Sequence, residues 1–398
     1  MKTRPIVPAK RTENIRYAVR DVVVLAEVVA ASGKQMSYLN IGDPNLFDFQ
    51  TPPHIIEAAH RAMRENRNGY APSSGIKAAV TAVSNEAIKN GISSVRHTFV
   101  TSGASEAIEL ALTALVNPGE NVLTPSPVYP LYTAVISKLG AVNNPYYLDE
   151  ENNWEPDIAD IKSKINDKTR AIILLNPNNP TGNVYSTRLL HEVIALAAEH
   201  NLIIFSDEIY DKLILDDQKY TSIASLTNDI PVVTFNGMSK AYIVPGWRIG
   251  WGMVSGPSEV VDEYCEAIRK LERARLSANH PEQYAIPVAL EGDHGYLQEV
   301  KTKLRRRRDL TVERLNAIDG ISCVRPQAAF YAFPRIDLGV DDEVFVKRLI
   351  EETGTVVVPG NGFGQRPGTN HFRVVFLPQE DVLERAFEGI AKVAAMYR

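Results

Sequence analysis

Lys240 follows the apolar run Val232, Val233, Thr234 and Phe235 and stands eight residues before Arg248, in the turn Pro245-Gly246-Trp247-Arg248. A free lysine is protonated at neutral pH, with a reference pKa of roughly 10.4. To act as a nucleophile or base it must be desolvated or held beside another positive group. A strand end with an arginine close by supplies both conditions. Asn179 lies in Asn176-Pro177-Asn178-Asn179-Pro180-Thr181-Gly182, and Asp207 and Tyr210 lie in Ser206-Asp207-Glu208-Ile209-Tyr210. Arg373 sits inside the apolar run His371-Phe372-Arg373-Val374-Val375-Phe376. A buried arginine is unfavourable unless paired, so this one reads as a bidentate fork for a carboxylate.

These residues need a scaffold that brings them together. The runs Thr98 to Thr101, Ala171 to Leu175 and Leu202 to Phe205 read as buried strands, and Glu106 to Val116 reads as a helix with apolar residues at helical spacing. In an open α/β sheet, ligands bind beyond the carboxyl ends of the strands. The amide, carboxylate, phenol and amine therefore face one crevice. The turn Ser102-Gly103-Ala104-Ser105 forms an anion cradle there: glycine reaches conformations that aim successive N–H groups outward, and a helix N-terminus adds partial positive charge. Pyridoxal 5'-phosphate uses the whole set, its aldehyde bonding a lysine, its ring nitrogen pairing with a carboxylate and its phosphate needing a cradle.

With these motifs in chain order, the sequence resembles the fold-type I, class I/II aminotransferases over nearly its whole length. The resemblance runs from Ile41-Gly42-Asp43-Pro44-Asn45 through Tyr70, the Gly103 turn, Pro127-Val128-Tyr129-Pro130 and the Asn179, Asp207 and Lys240 segments to Phe372-Arg373-Val374. Asn40-Ile41-Gly42-Asp43-Pro44, Phe235-Asn236-Gly237-Met238-Ser239-Lys240 and Leu276-Ser277-Ala278-Asn279-His280-Pro281 are most similar to the alanine (glutamate-pyruvate) transaminases.

The resemblance implies that Lys240 bonds the cofactor aldehyde and shuttles the proton during transamination. It implies that Asp207 pairs with the ring nitrogen, that Tyr210 and Asn179 hydrogen-bond the ring oxygen, and that Tyr129 stacks on the ring. Taken singly, Asp207 reads as a helix cap and Tyr129 as a core aromatic. The implied phosphate site comprises Gly103, Ala104, Ser105, Ser239 and Arg248, with Tyr70 reaching across from a second subunit of a homodimer. Arg373 would take the substrate α-carboxylate, with Gly42 closing over it. Many relatives carry a serine three residues before the lysine, where this chain has Gly237. One hydroxyl contact to the phosphate is therefore expected to be missing or replaced by water, with somewhat weaker cofactor retention.

Exchange between glutamate and a partner with a different side chain needs a cation that meets a distal carboxylate and then withdraws. Arg20, in Tyr17-Ala18-Val19-Arg20-Asp21, and Arg275 are the two candidates. Arg20 is favoured as the mobile one, against a local pair with Asp21 or Glu27. The expected activity is transamination between an L-amino acid, alanine foremost, and 2-oxoglutarate. The rivals are an aspartate or broad-specificity aminotransferase and a pyridoxal-dependent C–S lyase, because the scaffold does not separate them. A noncatalytic pyridoxal-binding regulator is disfavoured, since no helix-turn-helix precedes Ile41 and Lys240, Asp207 and Arg373 are all in place.

At 398 residues the chain is long enough for two domains. The alternating pattern implies an α/β fold with a mostly parallel sheet in a large cofactor domain, residues 49–288. A smaller α+β domain is expected from residues 289–398, and the resemblance implies that residues 1–48 join it. Apolar content of 44%, charged content of 23% and a net charge of −5 fit a soluble protein and argue against nucleic acid. The basic cluster Lys301, Lys303 and Arg305 to Arg308 reads as the solvated face of a long helix. Cys265 and Cys323 have no metal or disulfide spacing. Met1 to Lys10 is basic without an apolar signal core, and no run is long enough to span a membrane. Cytoplasm is the expected location, with no metal.

Overall fold

The computed structural model describes residues 5–13, 15 and 18–398, and within the first long helix, Ala18–Ala31, it describes side chains from residue 22 onward. Its centre is an eight-stranded sheet. Across it lie Val95–Ser102, Ile249–Ser255, Val232–Gly237, Ile203–Asp207, Thr169–Leu175, Asn121–Ser126, Val142–Asp149 and Glu155–Pro156. Four neighbouring pairs are parallel. Ile249–Ser255 runs antiparallel to both of its neighbours, so Val95–Ser102 points the same way as Val232–Gly237. The carboxyl ends Ser102, Ser126, Leu175, Asp207 and Gly237 therefore share one edge, as the sequence patterns predict.

The strand residues alternate between two apolar layers. Ala171, Ile173 and Leu175 join Phe205, Phe235 and the Ala104–Leu115 helix in one cluster, while Ile172, Leu174 and Ile204 join the other. Side chains along a strand point to opposite faces, and burial on both explains why these runs are continuously apolar. The covering helices carry their own stripes. In Thr187–Glu199, Leu189, Leu190, Val193, Leu196 and Ala197 are buried, and the Ser186 side chain caps the helix by accepting from the Leu189 N–H.

The C-terminal part contributes short strands: Tyr331–Ala332 and Val358–Pro359 both pair antiparallel with Phe372–Val375. The N-terminal strand Ser37–Tyr38 pairs in parallel with Thr355–Val356, which ties residues near 40 to the C-terminal part.

One expectation is overturned. Arg307 and Arg308, on the Tyr296–Asn316 helix, are each only 1% exposed. Arg307 donates to both oxygens of Asp48 and to the Leu377 carbonyl. Arg308 bonds Asp216, Asp309 and the Pro326 carbonyl. The basic run is thus partly an internal brace. Asp309 is the neighbouring residue, but Asp216 and Asp48 stand some 90 and 260 residues away in sequence, so nothing local reveals those two.

Candidate active site

Each functional side chain is delivered by a strand end or by the turn that follows it. The Val95–Ser102 strand ends at Gly103, whose φ of +78° lies in the left-handed region, and the helix Ala104–Leu115 begins at once. A Cβ on Gly103 would run into the Arg248 guanidinium, and one on Gly250 into the Ala104 backbone. Close approach of these three segments builds the cradle. Ala104, Ser105, Ser239 and Arg248 all line one cavity of about 670 Å³. The helix starts two residues earlier than its apolar spacing suggests, which places its free N–H groups at the cavity wall.

Asp207, the last residue of Ile203–Asp207, is buried at the floor of the same cavity. One carboxylate oxygen accepts from the Ile209 N–H at 3.2 Å and the other from the Tyr132 hydroxyl at 3.0 Å. Burial pushes its carboxyl up to about 6, against the pull of these two donors and the Lys240 ammonium. Sequence reasoning does not single out Tyr132. Its place on the first turn of Leu131–Lys138 matters only because that helix packs over Asp207. Directly behind, Glu208 is buried and pushed up to about 7, with the Ser206 and Ser222 hydroxyls donating to it.

Lys240 Nζ donates to the Gly42 carbonyl at 2.9 Å and stands 5.5 Å from the Phe330 ring centroid. Tyr210 is buried, and its hydroxyl lies 3.0 Å from that of Tyr331. Burial, then Tyr331, drives the Tyr210 hydroxyl well above the usual phenol range. Arg373 is buried in Phe372–Val375 and donates to Asn179 Oδ1 at 3.2 Å and to the Asn40 carbonyl at 2.7 Å. The rings of Tyr331 and Phe363 each lie 4.6 Å from its guanidinium carbon. Gly42, Tyr129, Asn179, Asp207, Tyr210, Lys240 and Arg373 all line the cavity.

Among the described residues, two of the sequence-selected side chains lie elsewhere, and Gly103 shapes the cradle turn without lining the cavity itself. Tyr70 is 84% exposed and is not part of this cavity's lining. Arg275 donates to the Val100 carbonyl and pairs with Glu106, so it braces the strand before the cradle and does not face the cavity. The side chain of Arg20 lies outside the described residues. Conversely, Val23, Val24, Ile41 and Leu131 form an apolar wall that the sequence patterns did not announce.

The family model for aminotransferase class I and II matches residues 34–390. The chain belongs to that family. Class I and II aminotransferases are pyridoxal-phosphate enzymes, and this family member is one. It is 39% identical to the alanine aminotransferase of Mycobacterium tuberculosis over 100% of this chain and 94% of that protein. It is 38% identical to the glutamate-pyruvate aminotransferase AlaA of Escherichia coli, over 99% of each. Among solved structures it superposes on the alanine aminotransferase from Pyrococcus furiosus with a TM-score of 0.94 and 40% identity, covering 98% of this chain and 100% of that one.

The cavity of this aminotransferase fits its cofactor. A buried carboxylate with a raised pKa calls for a cation on its open side, and the cradle beside Arg248 calls for an anion. No grouping of histidine, cysteine, aspartate and glutamate among the described residues could hold a metal ion. No helix among them is long and apolar enough to cross a membrane.

Gly237 has a structural reason. A Cβ there would lie 2.9 Å from Gly250 Cα and from the Ile249 carbonyl oxygen, across the Val232–Gly237 and Ile249–Ser255 pair. Gly237→Ser is expected to lower unfolding stability by about 1–3 kcal/mol through overpacking, measured by denaturant unfolding, without tightening cofactor retention. A serine variant as stable as the parent and with a lower cofactor Kd would show that the strand pair opens to admit the hydroxyl.

Proposed function

We propose that this aminotransferase exchanges the amino group between L-alanine and 2-oxoglutarate in a ping-pong cycle. The observation that carries the reading is the gathering of Lys240, Asp207, Tyr210, Asn179, Arg373 and the Ala104-Ser105 cradle around one cavity, in a chain whose full-length relatives bear alanine and glutamate-pyruvate aminotransferase names. The apolar wall of Val23, Val24, Ile41 and Leu131 suits a methyl side chain.

When bound, the cofactor supplies an electron sink for the bond broken at the substrate α-carbon. The protein does the rest. Lys240 Nζ, held by the Gly42 carbonyl, would be the base that carries the proton of the substrate α-carbon. Asp207 would hold a negative charge against the ring nitrogen, its own oxygens steadied by Ile209 and Tyr132. Tyr210 and Asn179 would serve the ring oxygen and Tyr129 the ring face. The phosphate would be held by Gly103, Ala104, Ser105, Ser239 and Arg248. Arg373 forks onto the α-carboxylate, pre-aligned by Asn40 and Asn179, and Gly42 covers it.

Among the described residues, the cations lining the cavity are Lys240, Arg248 and Arg373, and each has another task. The distal carboxylate of glutamate therefore falls to Arg20, one helical turn before the wall residues Val23 and Val24. Arg20→Ala is expected to reduce kcat/KM for glutamate by roughly 10- to 100-fold, the worth of a charged hydrogen bond, and to leave alanine unchanged. Equal losses on both would remove the switch. A homodimer whose partner lends Tyr70 agrees with the exposure of that side chain. Residues 49–288 form the large domain in this reading, with 1–48 and 289–398 the small one. The free, buried Cys265 and Cys323 agree with a cytoplasmic setting.

The test is a half-reaction titration: single amino acids are added to the loaded enzyme and the cofactor absorbance is followed. Rapid conversion by alanine and glutamate with slow conversion by aspartate is expected. Rapid conversion by aspartate or aromatic amino acids would assign another substrate class. Ammonia and pyruvate released from cystathionine without a keto-acid acceptor would favour the lyase.

A further inference from the structure

Tyr331 touches both ends of the active-site cavity. It lines the cavity from the Tyr331–Ala332 strand, whose register places it opposite Val375, two residues from Arg373. Its hydroxyl lies 3.0 Å from the Tyr210 hydroxyl, with the two rings at 89°. Its ring meets the Arg373 guanidinium at 4.6 Å. On a third side Gly42 packs so closely that a Cβ would run into the Tyr331 oxygen. The side chain is itself buried, 2% exposed, so its rotamer is held from several directions.

We propose that Tyr331 is a positioning residue coupling the two ends of the site: its hydroxyl donates to that of Tyr210, and its ring holds Arg373 in place for the substrate carboxylate. The proposal rests on the reading above, in which Tyr210 serves the oxygen on the cofactor ring and Arg373 the carboxylate. Each phenol has one proton. When Tyr210 gives its own to the cofactor oxygen, its lone pairs remain open to the proton of Tyr331, and in a buried chain of this kind each donation strengthens the next. Tyr331 thereby makes Tyr210 a stronger donor without touching the cofactor oxygen.

The experiment compares the loaded parent with Tyr331→Phe, Tyr331→Leu, Tyr210→Phe and the Tyr210→Phe/Tyr331→Phe double variant. The pH midpoint of the cofactor absorbance and the KM for both substrates are measured in each. Tyr331→Phe removes one oxygen and keeps the ring. Its midpoint is expected to rise by roughly half a unit, the scale of one neutral hydrogen bond, because charge on the ring oxygen is less well stabilised. KM is expected to stay within about twofold, as the ring contact survives. Tyr331→Leu is expected to show the same rise together with a KM increase of roughly 10-fold for both substrates. If that variant does not fold, the phenylalanine variant carries the test. Tyr210→Phe is expected to move the midpoint further, and adding Tyr331→Phe to it is expected to change nothing more. A midpoint unmoved by Tyr210→Phe would overturn the placing of Tyr210 at the cofactor. A midpoint moved by Tyr210→Phe but not by Tyr331→Phe, or a Tyr331 effect that persists in the double variant, would overturn the coupling alone.

Discussion

Lys240→Ala is expected to lower kcat by about 10⁴-fold or more, because the variant loses both the amine that bonds the cofactor and the base that carries the α-proton. The fold should survive. Lys240 follows the Val232–Gly237 strand within a buried turn, and its amine donates to one backbone carbonyl, Gly42, which water or a neighbouring donor can satisfy in its absence. Binding through the cradle and Asp207 should persist noncovalently, so cofactor stays with the variant on desalting more weakly than with the parent. A small primary amine added to the solution should restore part of the turnover, since it can enter the cavity and accept a proton where Nζ stood. The check is steady-state turnover with alanine and 2-oxoglutarate, with and without added amine. More than about one hundredth of the parent kcat in the variant would show that another group removes the proton.

Asp207→Asn is expected to cost roughly 10³-fold in kcat, as preorganised charge at a developing charge is removed, and to weaken a loss of stability with rising pH. The Asp207 carboxyl stands near 3.8 in the unfolded chain and about 6 in the folded one, burial being the main cause. The native state therefore binds this proton more tightly than the unfolded state does. This carboxyl destabilises the cofactor-free fold least below pH 4. Its penalty grows as the pH rises towards 6 and levels off above, reaching about 3 kcal/mol. Urea unfolding of cofactor-free parent and variant at pH 4.5 and 7.5 should show the parent losing stability relative to the asparagine form. Glu208 shifts in the same sense but is common to both, so it cancels in the difference. Loading the cofactor should remove most of the parent's penalty, because the ring nitrogen brings the missing cation. A stability difference that does not change with pH would mean that Asp207 is solvated and not desolvated in the free enzyme.

How legible the site was depends on how locally each part is determined. Asn179 and Lys240 follow buried strands in the fold and Asp207 ends one, since a continuous apolar run ended by polar residues is itself the signature of a strand reaching a sheet edge. Gly103 likewise shows its left-handed conformation where a strand meets a helix. The basic run at Arg305 to Arg308 misled because charge alone predicts exposure, and its partners Asp48 and Asp216 lie on other segments. Arg275 stood in a promising motif, yet its guanidinium turns to the Val100 carbonyl and Glu106.

The chain alone determined the chemical inventory: an amine, a carboxylate, a phenol, an amide and an anion cradle at successive strand ends, in an order that names the cofactor class. Only the tertiary structure decided what holds those groups. Tyr132 reaches Asp207, the Gly42 carbonyl meets Lys240, Asn40 and Asn179 align Arg373, and Tyr331 joins Tyr210 to Arg373. The physical reason is separation. A strand or a cap is set by neighbours within a few residues and leaves a periodic trace, whereas contacts between segments 42 to 333 residues apart arise from packing of whole layers and leave none.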